Sequence, residues 1–210
     1  MSSAAILASI FAAMLIGAMS PGPSFVVVSR IAISRSRLDG LCAALGMGIG
    51  GVIFSALALA GLTALLTQFS WLYLVLKIAG GAYLVYIAYR IWQGAADPLE
   101  VTGVTEGRSS LRRSFSTALL TQLSNPKTIV VYASIFAAFL PKSVPLAVAV
   151  GLPIGIFAIE TGWYTVVALA FSARRPRLAY LAAKAWIDRA AGFVMGGLGL
   201  RLIYAGVMLR

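Results

Sequence analysis

The amino-acid sequence predicts an all-α membrane protein of six transmembrane helices, built as two inverted three-helix repeats with helices one and four broken by proline motifs. Composition leads there first. Of the 210 residues, 60% are hydrophobic and 11% are charged, whereas a soluble domain carries about 25% charged residues. The apolar residues also fall in long blocks, several reaching the roughly 20 residues that a helix needs to cross a bilayer. Finally, proline and glycine interrupt two of these blocks at corresponding places, as happens in duplicated transporter folds.

The first span runs from about Ala4 to Val28. It could pass for the apolar region of a signal peptide, but no positive charge stands before it between Met1 and Ser9, so it is read as a retained membrane helix. The second covers about Gly40 to Leu66, and after Thr67-Gln68-Phe69-Ser70 the third covers about Trp71 to Trp92. The fourth runs from about Ser114 to Leu140, and the turn Pro141-Lys142-Ser143 leads to the fifth, about Val144 to Phe171. The sixth covers about Trp186 to Leu209. One transmembrane domain, 1–210, results: repeat one over 1–92, a polar linker over 93–113 holding Asp97, Glu100, Glu106 and Arg108, and repeat two over 114–210.

Basic residues set the expected orientation. Arg30, Arg35 and Arg37 follow span one; Arg90, Arg108, Arg112 and Arg113 follow span three; Arg174, Arg175, Arg177, Lys184 and Arg189 follow span five. The other side holds Lys142 and Arg210. Cytoplasmic loops collect Lys and Arg, so loops one, three and five are expected in the cytoplasm and both termini outside. The same rule accounts for the net charge of +11. No basic run interleaved with aromatics suggests a nucleic-acid partner. The single cysteine, Cys42, excludes an internal disulfide and a CxxC redox pair, and the lack of histidine excludes haem ligation by histidine and His-based metal sites. No cofactor is expected.

The two interruptions carry the functional reading. Span one contains Ser20-Pro21-Gly22-Pro23-Ser24 and span four contains Ser124-Asn125-Pro126-Lys127-Thr128, with Pro21 and Pro126 standing 105 residues apart. Proline removes an amide donor and clashes with the carbonyl one turn back. Unpaired backbone at membrane depth is tolerated where it faces protein or lines a watery cavity. There it offers carbonyls to a cation and half-helix amides to an anion, and a zwitterionic amino acid needs both. The alternative is a pair of kinks serving helix packing.

Lys127 lies deep in span four, where a charge must snorkel, pair or work. Glu160, midway along span five, is a candidate proton carrier, a partner for Lys127 or a contact for a substrate amine; a structural ion pair is the alternative. Lys77 is explained by snorkelling. Tyr164 and Trp163 are placed to shape a pocket beside Glu160 or simply to pack. Trp71, Tyr73 and Trp92 read as interfacial belt residues. Glycines at 46, 48, 50 and 51, and at 192, 196, 197 and 199, let helices approach closely and permit a homodimer.

At these residues the sequence resembles the LysE/RhtB family of amino-acid exporters. The resemblance rests on Ser20-Pro21-Gly22-Pro23, Leu45-Gly46 and the glycine-rich second span, the stretch Leu76 to Tyr86, Asn125-Pro126-Lys127 with the apolar run to Leu140-Pro141, and the closing Gly197 to Leu202. It covers nearly the whole chain, in order. It implies proton-motive-force-driven export of amino acids or close derivatives across the bacterial plasma membrane, with threonine, homoserine and basic amino acids as typical substrates. The family's proline motifs carry over to Pro21, Gly22, Pro23, Asn125, Pro126 and Lys127. Two positions depart from the common pattern: Ser24 stands where an acidic or amide residue often follows the first motif, and Gly51 stands near where an acid often appears in span two. The implied partners are an amino-acid substrate and membrane lipids.

Other functions are weighed against this one. A transporter or channel for a metal ion or another small metabolite is the main alternative, although cation binding favours several intramembrane carboxylates or thiolates. A membrane enzyme would need histidine or a paired base for zinc or serine chemistry, and the sequence presents neither.

Overall fold

The computed structural model describes residues 2–68, 70–97, 110–141 and 143–208; the side chains of 62–74, 76 and 77 lie outside this description. Glu100, Glu106, Arg108, Lys142, Arg210 and the side chains of Trp71, Tyr73 and Lys77 therefore lie outside the described residues. The described backbone is helical almost throughout: α1 (Ser3–Met19), α2 (Pro23–Ser34), α3 (Arg37–Gln68), α4 (Ser70–Gln93), α5 (Leu111–Ser124), α6 (Pro126–Phe139), α7 (Leu146–Phe171) and α8 (Arg174–Val207), with a 3₁₀ turn over Gly94–Ala96.

Both predicted interruptions are real breaks. The axes of α1 and α2 differ by 59° across Ser20-Pro21-Gly22. Asn125 separates α5 from α6. In each case proline occupies the first position of the following helix, where its missing amide is no loss and its fixed φ suits the helix.

Two element boundaries differ from the sequence reading. The turn between α2 and α3 is confined to Arg35 and Ser36, so Arg30 and Arg37 are helical. α8 starts at Arg174, twelve residues before Trp186, so the basic stretch expected as a loop is a helical extension. Leu, Ala, Arg and Lys in this stretch are strong helix formers, and Pro176 falls in the first turn, where a helix accepts proline.

Three helices among the described residues, α3 as far as Gly61, α7 and α8, are long and apolar enough to cross a membrane, and the bent α1–α2 pair makes four. α5 is too polar to count by composition, because Arg112, Arg113, Ser114 and Gln122 lie on it.

The core divides into two apolar clusters. One gathers Ile6, Ile10 and Met14 of α1, Ile135 and Phe136 of α6, and Leu152 and Ile156 of α7. The other gathers Phe25 and Val28 of α2, Ala43 and Met47 of α3, Ala118 of α5, and Tyr164, Val167 and Phe171 of α7. The α1–α2 rod thus runs from the first cluster to the second, and the α5–α6 rod runs the opposite way. Both breaks, and the α7 segment around Glu160, fall between the clusters.

Glycine sets the closest helix contacts. A side chain at Gly81 on α4 would stand 2.7 Å from the Gly199 carbonyl oxygen on α8, and one at Gly199 would stand 2.6 Å from that of Gly81. Backbone therefore meets backbone reciprocally at this crossing.

Candidate functional site

A polar layer occupies the gap between the two apolar clusters. It begins at the second break, where Asn125 caps α6 by accepting from the Lys127 amide through Oδ1 (3.0 Å). Its Nδ2 donates across to Ser24 Oγ on α2 (3.0 Å). Ser24 Oγ donates to Gln122 Oε1 on α5 (2.7 Å), and Gln122 Nε2 donates to Glu160 Oε2 on α7 (3.3 Å). Tyr132 of α6 closes the line, donating to Glu160 Oε1 (2.8 Å). Each bond passes a donor toward the Glu160 carboxylate, so the chain links the second break, the first break and α7 without interruption. Ser24, Gln122, Asn125, Tyr132 and Glu160 are all buried. Burying this many polar groups is tolerable because they satisfy one another.

Gly51 makes room for the end of this chain. A side chain there would stand 2.7 Å from the Tyr132 hydroxyl and 3.2 Å from Glu160 Cγ. The position that lacks a carboxylate on α3 therefore faces the carboxylate carried by α7.

Lys127 does not pair with Glu160; each has partners of its own. Its Nζ donates to the Ser20 carbonyl oxygen, 2.9 Å away, at the end of α1. Its stem passes Gly22, where a side chain would stand 3.2 Å from Lys127 Cδ. The Met19 carbonyl, also freed by the break, accepts from the Tyr180 hydroxyl at 3.5 Å. Tyr180 in turn stacks on Phe25, with ring centroids 4.9 Å apart. The carbonyls before Pro21 are thus engaged.

The amides after Pro21 are not capped in the same way. Gly22 is the N-cap of α2 and supplies no side chain, so the first-turn amides of α2 have no side-chain cap, whereas α6 has the Asn125 side chain. The N-termini of α2 and α6, each with partial positive charge, meet at this layer. Ser20 Oγ, buried here, has no hydrogen-bond partner.

Two cavities adjoin at this point. A small one of about 30 Å³, the scale of a single water molecule, lies among Gly22, Ser24, Gln122, Lys127, Glu160 and Tyr164. A vestibule of about 500 Å³ opens at the end of the bundle that carries Arg90, Gly94 and Lys184. Ser20, Gly22, Asn125 and Lys127 line both, and so form the floor that separates them. Pro21, Pro23 and Pro126 face the vestibule.

Every site residue anticipated from sequence, namely Pro21, Gly22, Pro23, Ser24, Asn125, Pro126, Lys127, Glu160 and Tyr164, borders one of these cavities. Trp163, anticipated beside them, packs against the apolar cluster around Tyr164. Gln122 and Tyr132 were not anticipated. Tyr132 is an ordinary position on the apolar α6 and gives no signal of its own, whereas Gln122 sits one turn before Asn125 on the polar α5. Asp188 was missed as well, because it falls just inside the expected start of span six, where acids are unremarkable. It is buried, it lines the vestibule, and its Oδ2 pairs with Lys184 Nζ at 3.0 Å. Asp39, also unanticipated, ties α3 to the start of α5 by accepting from Ser114 Oγ at 2.7 Å.

An apolar helical bundle with two helix breaks at a buried polar layer, and with a vestibule leading to it, suits a membrane transport protein. Comparison with known proteins gives the particular class. Residues 15–206 match the family described as LysE type translocator. The chain is 34% identical over 192 residues to the threonine efflux protein of Salmonella typhi, covering 90% of this chain and 93% of that one. It is 34% identical over 194 residues to the threonine efflux protein of Escherichia coli strain K12, with the same coverage. It is 30% identical over 131 residues to the leucine efflux protein of Salmonella choleraesuis, covering 60% of this chain and 58% of that one. No solved structure matches. The chain belongs to the LysE family of translocators, and it is a transporter rather than an enzyme.

Proposed function

We propose that this chain exports amino acids or close derivatives from the cytoplasm across the bacterial plasma membrane, driven by the proton motive force. One observation carries the reading: two helix N-termini and Lys127 converge on the floor between an open vestibule and a polar chain that ends at Glu160. Relatives named for threonine and leucine efflux supply the substrate class.

In this reading the six spans are α1–α2, α3, α4, α5–α6, α7 and α8, forming inverted repeats. Support comes from the glycine contacts. Gly46 and Gly50 on α3 pack against α5, and Gly151 and Gly155 on α7 pack against α1, with 105 residues separating each corresponding pair. That is also the separation of Pro21 and Pro126. Exchange of the two halves converts one set of contacts into the other. Basic residues cluster at the vestibule end, so the vestibule faces the cytoplasm and both termini lie outside.

Substrate enters the vestibule and its carboxylate meets Lys127 and the uncapped amides of α2. Glu160 takes up a proton from outside and releases it inside as the halves rock. The test is transport in liposomes with an imposed proton gradient, using a panel of amino acids headed by threonine and leucine, with the wild type and Pro126→Ala side by side. Gradient-driven movement of one amino-acid class, lost in the variant, is expected. No movement of any amino acid by the wild type would refute the proposal.

A further inference from the structure

The polar layer offers donors in plenty for a substrate carboxylate but leaves the ammonium of an amino acid unanswered. The carbonyls before the first break already accept from Tyr180 and Lys127. Both Glu160 oxygens are engaged by Gln122 and Tyr132.

Asp188 supplies what is missing. Its side chain is buried (6% relative exposure) and borders the vestibule, and its Oδ1 has no hydrogen-bond partner. The other oxygen is held by Lys184, whose Nζ also donates to the carbonyl oxygens of Gly94 (2.8 Å) and Ala95 (3.3 Å). Lys184 is thus bound to the 3₁₀ turn and fixes the carboxylate with one oxygen turned away from it. A buried carboxylate oxygen without a partner carries a desolvation penalty of the kind that functional sites retain.

Lys127 and Asp188 border the same vestibule, yet no ion pair joins them. Two opposite charges held apart across a cavity are complementary to a zwitterion, with Lys127 toward its carboxylate and Asp188 toward its ammonium. The nearby guanidinium of Arg90 is drawn to the Tyr86 hydroxyl at 3.2 Å, and Asp97 is exposed at the mouth.

We propose that Asp188 Oδ1 receives the ammonium group of the transported amino acid in the vestibule, so that the site selects molecules carrying both an ammonium and a carboxylate. The inference rests on the exporter reading above and assigns the amine-binding residue within it.

The experiment is transport of labelled L-threonine by the full chain in liposomes. Two competitors are used: the hydroxy acid that lacks threonine's amino group, and the amino alcohol that lacks its carboxylate. Each should compete at least about tenfold more weakly than threonine, as expected when a charged hydrogen bond is lost. In Asp188→Asn, KM for threonine should rise by about tenfold and the preference over the hydroxy acid should collapse. Asp188→Glu should restore part of it. A carboxylate with a merely structural role would lower transport of both compounds in proportion, and an unchanged preference ratio overturns the proposal. So does a hydroxy acid that competes as well as threonine in the wild type, a result independent of how any variant folds. Wild-type transport with intact discrimination in Asp188→Asn refutes Asp188 alone, whereas a wild type that moves no amino acid refutes the exporter reading along with it.

Discussion

The two breaks meet the same local demand in opposite ways. At the first, Ser20-Pro21-Gly22 leaves the start of α2 without a side-chain cap. At the second, Asn125 caps α6 and the next two residues supply a proline and a charge. The first break contributes backbone and the second contributes side chains, and each completes the other: Lys127 reaches the Ser20 carbonyl and Asn125 reaches Ser24. Gly22 has no side chain because the Lys127 stem occupies that space. What differs between the two breaks is the division of labour at a shared site.

Substitutions at the two breaks should therefore differ in character as well as in size. The largest effect is expected from Lys127→Met, which keeps the stem but removes the charge that joins the breaks. Threonine transport in liposomes should fall by roughly two orders of magnitude, in line with the loss of a charged hydrogen-bond donor to substrate. Transport within a few-fold of wild type would mean that the second break supplies only structure. Gly22→Val should come next, because its side chain would meet the Lys127 stem. Transport should fall by about tenfold, as expected for overpacking against the stem, while purified protein still elutes as a single folded species in size-exclusion chromatography.

A smaller effect is expected from Asn125→Ala, which removes both the α6 cap and the bond to Ser24. The cap alone contributes about 1 kcal/mol, so a lowered melting temperature and partial activity should result. An unchanged melting temperature would argue that the capping asymmetry is not energetic. Tyr180→Phe should do least. Its bond to the Met19 carbonyl is long, at 3.5 Å, and the stacking on Phe25 survives, so near-normal stability and transport are expected.

Much of this arrangement was legible in the sequence, and the reasons are specific. Prolines 21, 23 and 126 mark breaks because proline cannot continue a helix ladder, whatever surrounds it. The 105-residue spacing of Pro21 and Pro126 recurs in Gly46 with Gly151 and Gly50 with Gly155, so one number links several contacts. Partners across the bundle were not legible. Gln122 and Tyr132 join Glu160 because antiparallel rods bring α5, α6 and α7 together, and no local pattern encodes that meeting. Lys127 and Glu160 look like an ion pair in a list of buried charges, yet folding gives each of them neutral partners instead. Asp188 escaped notice for a related reason. α8 begins twelve residues earlier than its apolar stretch, which places a boundary acid beside the vestibule.

In the proposed mechanism the polar layer between the breaks couples substrate movement to a proton held at Glu160. Glu160→Gln tests it most directly, because an amide keeps the shape of the side chain but cannot carry the proton. Two assays on the same liposomes are needed: exchange of threonine across the membrane without a gradient, and net outward concentration of threonine driven by one. Exchange should persist while gradient-driven concentration is lost. A Glu160→Gln protein that concentrates threonine at the wild-type rate would contradict it.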